Sequence, residues 1–204
     1  MLDLPQSTAI KPEKIIFKKN LYQAFPKELS GKNKDKFNQD IKKIVITNEL
    51  SERSLNISAT EDLRAIYVVR VELKNKNYEE SNIQLIAKLL RQNVILLLTY
   101  KDEIKLYLYE TKLLSSDWFS ESYKLDIQGI DLKSVWENFV TQITNIEIES
   151  GNTLQEQLEL EEEKARLKKL IEVTEIKARK ERQAKKRFEL FKEIERYKKK
   201  LEEL

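Results

Sequence analysis

Apolar and polar positions follow two different patterns along the chain, and the change between them falls at Gly151. Before that residue, short apolar runs with strand-like alternation are interspersed with segments of helical three-to-four spacing. After it, residues 152–204 contain neither Gly nor Pro, and more than half of them are charged, which is typical of a long exposed helix. The pattern predicts an α+β globular domain over residues 1–148 and a long charged C-terminal helical hairpin or coiled coil over residues 152–204.

The globular part is predicted to be a mixed sheet with packed helices. Its clearest strand covers residues 65–74, where β-branched and aromatic residues are concentrated. Residues 1–33 are predicted to be irregular because Pro5, Pro12 and Pro26 interrupt them. Elements in this order are typical of an α+β fold in which helices cover one or both faces of the sheet. The other predicted elements are a helix at 35–43, strands at 44–50 and 55–59, a helix at 79–92, strands at 94–100 and 104–114, an edge strand at 123–127, and a helix after Asp131.

Two helix starts carry recognisable capping residues. Gly129 ends the preceding strand, and Asp131 is placed to accept a hydrogen bond from the first turn of the next helix. Thr153 and Glu156 have the spacing of a capping box, in which each side chain bonds the backbone N–H of the other residue. We therefore expect one helix to begin after Asp131 and the tail helix to begin after Thr153.

The tail has an apolar seam that a strongly basic segment interrupts. Residues 177–187 hold seven bases and one acid, and the seam nearly disappears there. Two apolar blocks with a polar gap fit an antiparallel helical hairpin that turns near residues 181–186, and they also fit one long helix in a two-chain coiled coil. We favour the hairpin, although the gap contains no Gly or Pro to fix the turn. The seam residues are Leu154, Leu158, Leu160, Leu167, Leu170, Ile171, Val173 and Ile176, then Phe188, Phe191, Ile194, Tyr197 and Leu201.

The residue types that are absent limit the chemistry of this chain. It has no Cys and no His, which excludes disulfides, thiol or imidazole catalysis and Cys/His zinc sites built from its own residues. Its three Gly residues do not form a glycine-rich nucleotide-binding loop. We predict no cofactor and no metal site, and we lean against an enzyme.

No segment has the pattern of a membrane span or a secretory signal. The longest apolar run is residues 94–98, far shorter than the roughly 20 residues that a transmembrane helix needs. The first residues lack the basic and apolar regions of a signal peptide. We therefore expect a cytoplasmic protein with no membrane partner.

One short motif has the form of a nuclease site. Glu72 and Lys74 lie at the end of the predicted strand at 65–74, and restriction-type nucleases place a carboxylate and a Lys two residues apart on such a strand. Those enzymes also use an Asp on the preceding strand, so that Mg²⁺ bridges two acids and activates water. The predicted strand at 55–59 offers no Asp. We therefore favour a solvated strand end over an active site, and a decayed nuclease-like fold over an active nuclease.

The basic segment of the tail is a candidate for neutralising the phosphates of a nucleic acid. Such contacts give binding that depends on salt but not on base sequence. The alternative is a solvated helix face or hairpin tip, which we favour. No aromatic residue interleaves the segment, so the sequence does not support stacking on single-stranded bases. The candidate nucleic-acid-binding residues are Lys177, Arg179, Lys180, Arg182, Lys185, Lys186 and Arg187.

Apolar residues that the chain is not predicted to cover itself are candidates for a protein interface. Trp118 follows a strand and precedes a polar loop, so it is either an anchor for a partner or a residue at the edge of the core, and we favour the edge of the core. Trp136 is predicted to be core, because apolar residues surround it at helical spacing. The other candidates form the second apolar block of the tail, Phe188, Phe191, Ile194, Tyr197 and Leu201.

Six short motifs appear in order along almost the whole chain. They are Leu4-Pro5-Gln6-Ser7-Thr8, Leu55-Asn56-Ile57-Ser58, Tyr109-Glu110-Thr111-Lys112-Leu113, Ser116-Asp117-Trp118, Val135-Trp136-Glu137-Asn138-Phe139 and Gly151-Asn152-Thr153-Leu154. With the charged tail, they resemble the bacterial family called domain of unknown function 4391. The resemblance implies a prokaryotic cytosolic protein, often encoded beside DNA methyltransferases and helicases of restriction-like defence loci. It implies no reaction, because the family has no established catalytic residues.

Three hypotheses about function follow from these observations. The first is a non-catalytic accessory subunit of a prokaryotic DNA-acting complex, for example in restriction-modification or phage defence. Its tail would dock onto a helicase or methyltransferase of the locus, or onto a second copy of the chain. The second is a metal-dependent nuclease, or a decayed one, that uses Glu72 and Lys74. The third is a stand-alone nucleic-acid binder that uses the basic segment at 177–187, with DNA as a partner.

Overall fold

The structure is a computed structural model that describes residues 2–120 and 123–204. Contacts divide the chain into two compact units, Met1–Ile146 and Glu147–Leu204. The first unit contains the sheet and the second contains the tail helices. The fold is therefore α+β with a helical C-terminal part, as the sequence predicts.

The first unit is built on a six-stranded mixed sheet whose strands lie side by side in chain order. All neighbouring strands are antiparallel except the third and fourth, which are parallel. A parallel pair needs a crossover connection, and a helix between these two strands provides it. The strands are β1 (Ala9–Ile15), β2 (Ile41–Ser51), β3 (Ala65–Leu73), β4 (Asn93–Tyr100), β5 (Glu103–Tyr109) and β6 (Leu113–Ser120).

Helices cover both faces of this sheet. One face packs against three helices in a core that includes Phe37, Ile83, Val69 and Val71. Alternate residues of a strand point to opposite faces, so the buried Val68 lies on the other face, and the fifth helix contacts the strands there. The helices are α1 (Lys18–Ala24), α2 (Gly31–Asp40), α3 (Glu52–Leu55), α4 (Glu80–Leu90), which is the crossover, and α5 (Leu132–Thr144).

Four element predictions for this unit are wrong in detail. Residues 1–33 are not irregular but contain β1, α1 and the start of α2, and residues 55–59 form no strand. There the chain makes the short helix α3 and then only an isolated bridge from Ser58 to Asp131. The strand predicted at 104–114 is two strands, β5 and β6, and residues 123–127 are not in a strand. Whether a segment forms a strand depends on the strands available to pair with it, and a local apolar pattern contains no information about that pairing.

The two predicted helix starts are confirmed. The side chain of Asp131 accepts a hydrogen bond from the backbone N–H of Ser134, at 2.7 Å, at the start of α5. The hydroxyl of Ser134 also donates to this carboxyl, and the two hydrogen bonds hold the pKa of Asp131 below its usual range. Thr153 and Glu156 form the capping box at the start of the first tail helix. Capping residues act within one turn, so the local sequence is sufficient to predict them.

The tail is a pair of helices that pack on each other, α6 (Leu154–Lys180) and α7 (Ala184–Glu202). Lys198 on α7 lies 3.7 Å from Glu175 on α6, an ion pair between the two helices. Arg166 and, from the end of α7, Lys200 lower the pKa of Glu163 in the first half of α6, as expected where the two helices run antiparallel. The helices are separated at Glu181 and Gln183, which have extended backbone angles. The turn therefore needs no Gly or Pro and begins at the first residue of the predicted segment.

Candidate functional site

Glu72 and Lys74 both make contacts that stabilise the sheet. Glu72 is near the end of β3, and its carboxylate lies 3.3 Å from Nζ of Lys42 and 3.8 Å from Nε of Arg70. Lys74 directly follows the strand, and its Nζ donates a hydrogen bond to the backbone oxygen of Asn38 at 2.7 Å. The acid is therefore surrounded by cations, and the Lys is directed to a backbone carbonyl.

A second acid near Glu72 is Glu13 of β1, and the two share a cation: the Glu13 carboxylate lies 3.0 Å from Nη2 of Arg70, which is also paired with Glu72. The strand before β3 in the sheet is β2, and its residue opposite Glu72 is Lys43. Asp62, the nearest acid before β3 in sequence, lies in a bend outside the strands. Within residues 2–120 and 123–204, no group of three or more acidic residues is placed to hold a metal ion. The arrangement around Glu72 is therefore an ion-pair cluster.

The seven predicted nucleic-acid-binding residues are brought together at the turn of the hairpin. Lys177, Arg179 and Lys180 end α6, Arg182 lies in the turn, and the other three begin α7. All seven are exposed, and among them Arg179 has an ion-pair partner, Glu175, at 3.8 Å. The hairpin thus concentrates cations from two helices at one end of the second unit. We call these seven residues the basic tip.

The predicted partner-binding residues of the tail divide into two sets. Ile194 is buried and Tyr197 and Leu201 are half-buried, because they face α6 in the hairpin. Phe188 and Phe191 are 60% and 52% exposed; Phe188 is turned away from this seam, and Phe191 lies beside it, three residues before Ile194. The hairpin therefore covers three of the five predicted residues with its own chain and leaves the two phenylalanines uncovered.

A second exposed apolar pair lies on α6, at residues that the sequence places in the seam. Val173 is 39% and Ile176 is 43% exposed, whereas Thr174 and Ala178 are buried. Residues 174 and 178 are four apart and share one helix face, so the seam passes through the smaller residues and turns the larger two outward. Apolar character alone therefore wrongly assigns Val173 and Ile176 to the seam. Thr174 and Ala178 follow the buried Leu167 by seven and eleven residues, and this helical spacing is the sequence signal that locates the seam.

Cations flank the exposed phenylalanines of α7. Lys185, Phe188 and Lys192 are spaced three and four residues apart, so they lie on one face of the helix. The Nζ of Lys192 lies 4.8 Å from the centroid of the Phe188 ring. The sequence finds no aromatic residue inside the basic segment, but the helix carries two exposed rings directly beyond it. Whether aromatic rings beside the basic segment are available to a ligand depends on their exposure, and the sequence alone does not predict that exposure.

Trp118 is not a free anchor. It is half-buried on β6, with its ring edge-on to Tyr78 at 6.4 Å, and Nζ of Lys76 lies 5.0 Å from its ring. The hydroxyls of Tyr78 and Tyr107 are 2.9 Å apart, and Tyr107 donates to Glu80 at 2.7 Å. Burial and these hydrogen bonds raise the pKa of Tyr107. Trp118 therefore belongs to the edge of an aromatic cluster.

Comparison with known proteins assigns the chain to a family. A family model described as "Domain of unknown function (DUF4391)" matches residues 2–201 of the 204. The chain belongs to this family. The resemblance seen in the short motifs is thus confirmed. The chain matches no curated protein and no solved structure.

Several motifs that carry the family resemblance form structural joints. The indole Nε1 of Trp136 donates a hydrogen bond to a carboxylate oxygen of Glu110. The backbone N–H of Leu132 donates to the backbone oxygen of Ser58, at 2.9 Å, where α5 begins. The hydroxyl of Ser116 accepts a hydrogen bond from a β5 backbone N–H, at 3.0 Å, at an irregular point of the strand pair. These motif residues stabilise the first unit of this family member.

Across residues 2–120 and 123–204, no helix combines sufficient length with sufficient apolar character to cross a bilayer.

Proposed function

We propose that this member of the family is a non-catalytic accessory subunit of a prokaryotic DNA-acting complex, and that its helical hairpin docks onto a protein partner in the cytoplasm. The observation that carries the proposal is the set of large apolar side chains that the hairpin does not cover. These are Val173 and Ile176 on α6 and Phe188 and Phe191 on α7. Exposed apolar residues on a helix are typical anchors for a partner's groove.

The surroundings of Glu72 support the non-catalytic part of this proposal. Its ion-pair partners are Lys42 and Arg70, and Arg70 also pairs with Glu13, so a cation of the protein itself stands between the two carboxylates that a metal ion would bridge. The partner that we propose is a helicase or methyltransferase of a restriction-like defence locus, which is the setting that the family resemblance implies. A docked accessory subunit needs no reactive group of its own.

Co-purification with a helicase or methyltransferase of the kind that the family resemblance implies tests the docking. We expect a partner to be retained by the tagged full-length protein and lost when Val173 and Ile176 are both replaced by Ala, because these substitutions remove the α6 pair but preserve helix propensity. Phe17→Ala is the matched control, since Phe17 is 58% exposed in the first unit. A monomeric protein that retains no partner but has activity of its own would contradict the proposal.

The nuclease alternative is tested separately. Incubation of the parent protein and Glu72→Ala with DNA and Mg²⁺ should give the same result, namely no cleavage. Cleavage by the parent that disappears in Glu72→Ala would replace our proposal with the nuclease hypothesis.

Binding of nucleic acid by the tail is a second candidate function, and the basic tip favours it. Cations that are exposed and close together neutralise phosphates, and the released counterions make such binding strongly salt-dependent. This function is compatible with the first, because a subunit of a DNA-acting complex is held close to nucleic acid.

A further inference from the structure

The outer face of α7 combines cations with uncovered aromatic rings. Phe188 and Phe191 lie on it, and Lys185, Lys192 and Lys199 are exposed at positions that share a face with Phe188. The seam residue Ile194 packs against α6; around the helix it is about 120° from Phe188 and about 60° from Phe191, so Phe191 lies beside the seam. Both rings are more than half exposed, and Phe188 has a lysine on each side along the helix, Lys185 and Lys192.

The charge of this face indicates an anionic ligand. Residues 184–192 contain four bases and one acid, Glu189, and the basic tip adds Arg179 and Arg182 from α6 and the turn. The cations of this face extend from Lys185 to Lys199, over about 20 Å at 1.5 Å per residue, and Glu195 interrupts them between Lys192 and Lys199. That length covers several nucleotides of an extended strand, within the usual site size of single-strand binders, about 4–16 nucleotides.

The two rings distinguish among anionic ligands. A single strand presents both phosphates and the π-faces of unpaired bases, so it uses the cations and the rings together. A duplex keeps its bases stacked inside and would leave Phe188 and Phe191 without a role. An anionic membrane needs a broad apolar face, whereas the main apolar stripe of α7, which contains Ile194, is turned toward α6.

We propose that the outer face of α7 and the basic tip bind single-stranded nucleic acid, with bases stacked on Phe188 and Phe191 and phosphates on the flanking cations. The inference deepens the proposed function and rests on it, because it takes the tail as the interacting element. It also divides the tail between two ligands. The α6 pair, Val173 and Ile176, remains for the protein partner, and the α7 pair contacts the strand.

Fluorescence anisotropy on the full-length chain tests the proposal with labelled oligonucleotides. The probes are single-stranded oligothymidine of about 20 nucleotides, an abasic strand with the same number of phosphates, a duplex of equal length and an oligouridine of equal length. We expect the oligothymidine to bind more tightly than the abasic strand and the duplex. The oligouridine arm distinguishes DNA from RNA as the strand that the tail prefers.

Two variants separate stacking from charge. Replacing Phe188 and Phe191 by Ala should weaken oligothymidine binding at least about tenfold while leaving the abasic strand unaffected, because only stacking is lost. Replacing Lys185, Lys186 and Arg187 by Glu should weaken binding to every probe and flatten its dependence on salt. Replacing the α6 pair by Ala is the matched control and should leave all affinities unchanged.

Four results would overturn the inference: no oligothymidine binding at about 50 mM salt, equal affinity for the abasic strand, no effect of the phenylalanine substitutions, or displacement of the strand by phosphatidylserine vesicles. Each leaves the protein-docking proposal intact, since that proposal is judged by partner retention and by the α6 pair. Conversely, loss of the protein partner in both pairs of variants would contradict the division of the tail.

Discussion

The carboxylate of Asp40 accepts a hydrogen bond from the side-chain amide of Asn82, with 3.1 Å between Oδ2 and Nδ2, and both side chains are buried. The same oxygen accepts the backbone N–H of Glu79 at 3.0 Å, and the other oxygen lies 2.6 Å from Nζ of Lys36. Asp40 ends α2, and Asn82 is in the first turn of α4. One carboxylate therefore joins the helix before β2 to the crossover helix after β3.

Removing this carboxylate should destabilise the first unit. We expect Asp40→Ala to lower the free energy of unfolding by about 3 kcal/mol, because the buried amide of Asn82 and the backbone N–H of Glu79 lose their acceptor and Lys36 loses its ion pair. Asp35→Ala is the matched control on the same helix, since Asp35 is exposed, and it should change stability by no more than about 0.5 kcal/mol. Urea denaturation followed by circular dichroism measures both. Equal midpoints for the two variants would show that the buried network contributes little.

A substitution at Gly129 should disturb the start of α5. Gly129 has a φ of +152°, and a Cβ built there would lie 2.6 Å from the backbone nitrogen of Val135. We expect Gly129→Ala to cost at least about 2 kcal/mol, since both the backbone angle and the contact are unfavourable. Gly31 has a φ of +48° with no atom within 4 Å of an added Cβ, so Gly31→Ala should cost only about 1 kcal/mol. Thermal unfolding of the two variants shows whether the close contact at Gly129 destabilises the protein beyond the cost of the positive φ alone.

The sequence predicts the start of α5 but not strand β1. The start of α5 is predicted because Gly129 and Asp131 act within one turn. Strand β1 is missed because it is an edge strand with mostly exposed residues, and its Pro12 is tolerated there only because one side has no neighbouring strand. The sequence contains no local signal for the pairing of β1 with β2, which joins residues 30 or more positions apart.

The candidate site is predicted in part for a similar reason. The basic tip is a run of neighbouring residues, so its charge is evident without a structure. Whether Phe188 or Ile194 is exposed depends on which face of α7 packs on α6. Both are apolar, so the sequence allows either residue to lie in the seam. The ion pair between Glu72 and Lys42 is also invisible in sequence, because it depends on the pairing of β2 with β3, whereas Arg70 is on the same strand two residues before Glu72.

The buried hydroxyl of Tyr107 should make stability depend on alkaline pH. Burial and its hydrogen bonds raise its pKa in the folded protein above the unfolded value of 10.0. The folded state therefore keeps the proton, and the contribution of Tyr107 is full below pH 10 and decreases as the pH rises above it. We expect Tyr107→Phe to lose about 1–2 kcal/mol at pH 7.5, because Tyr78 and Glu80 lose a buried partner.

Urea denaturation of the parent and Tyr107→Phe between pH 7.5 and pH 11 tests this sign. The difference in unfolding free energy should shrink as the pH rises above about 10. The control is Tyr109→Phe on the same strand, since its hydroxyl makes no hydrogen bond within the described residues, and stability at pH 7.5 should change by no more than about 0.5 kcal/mol. A difference that is constant or grows with pH would show that Tyr107 ionises as readily in the folded protein as in the unfolded chain.

Two substitutions on α7 should differ in their effect on the stability of the hairpin. Ile194→Ala removes a buried side chain from the seam and should destabilise the hairpin by about 2–4 kcal/mol, whereas Phe191→Ala removes an exposed ring and should change stability by no more than about 0.5 kcal/mol. Amide hydrogen exchange localises the effect, with faster exchange across α6 and α7 in Ile194→Ala alone. Equal exchange in both variants would mean that α7 does not pack through Ile194. The face that carries Phe188 and Phe191 would then no longer be the outer one, and the assignment of both tail surfaces would change with it.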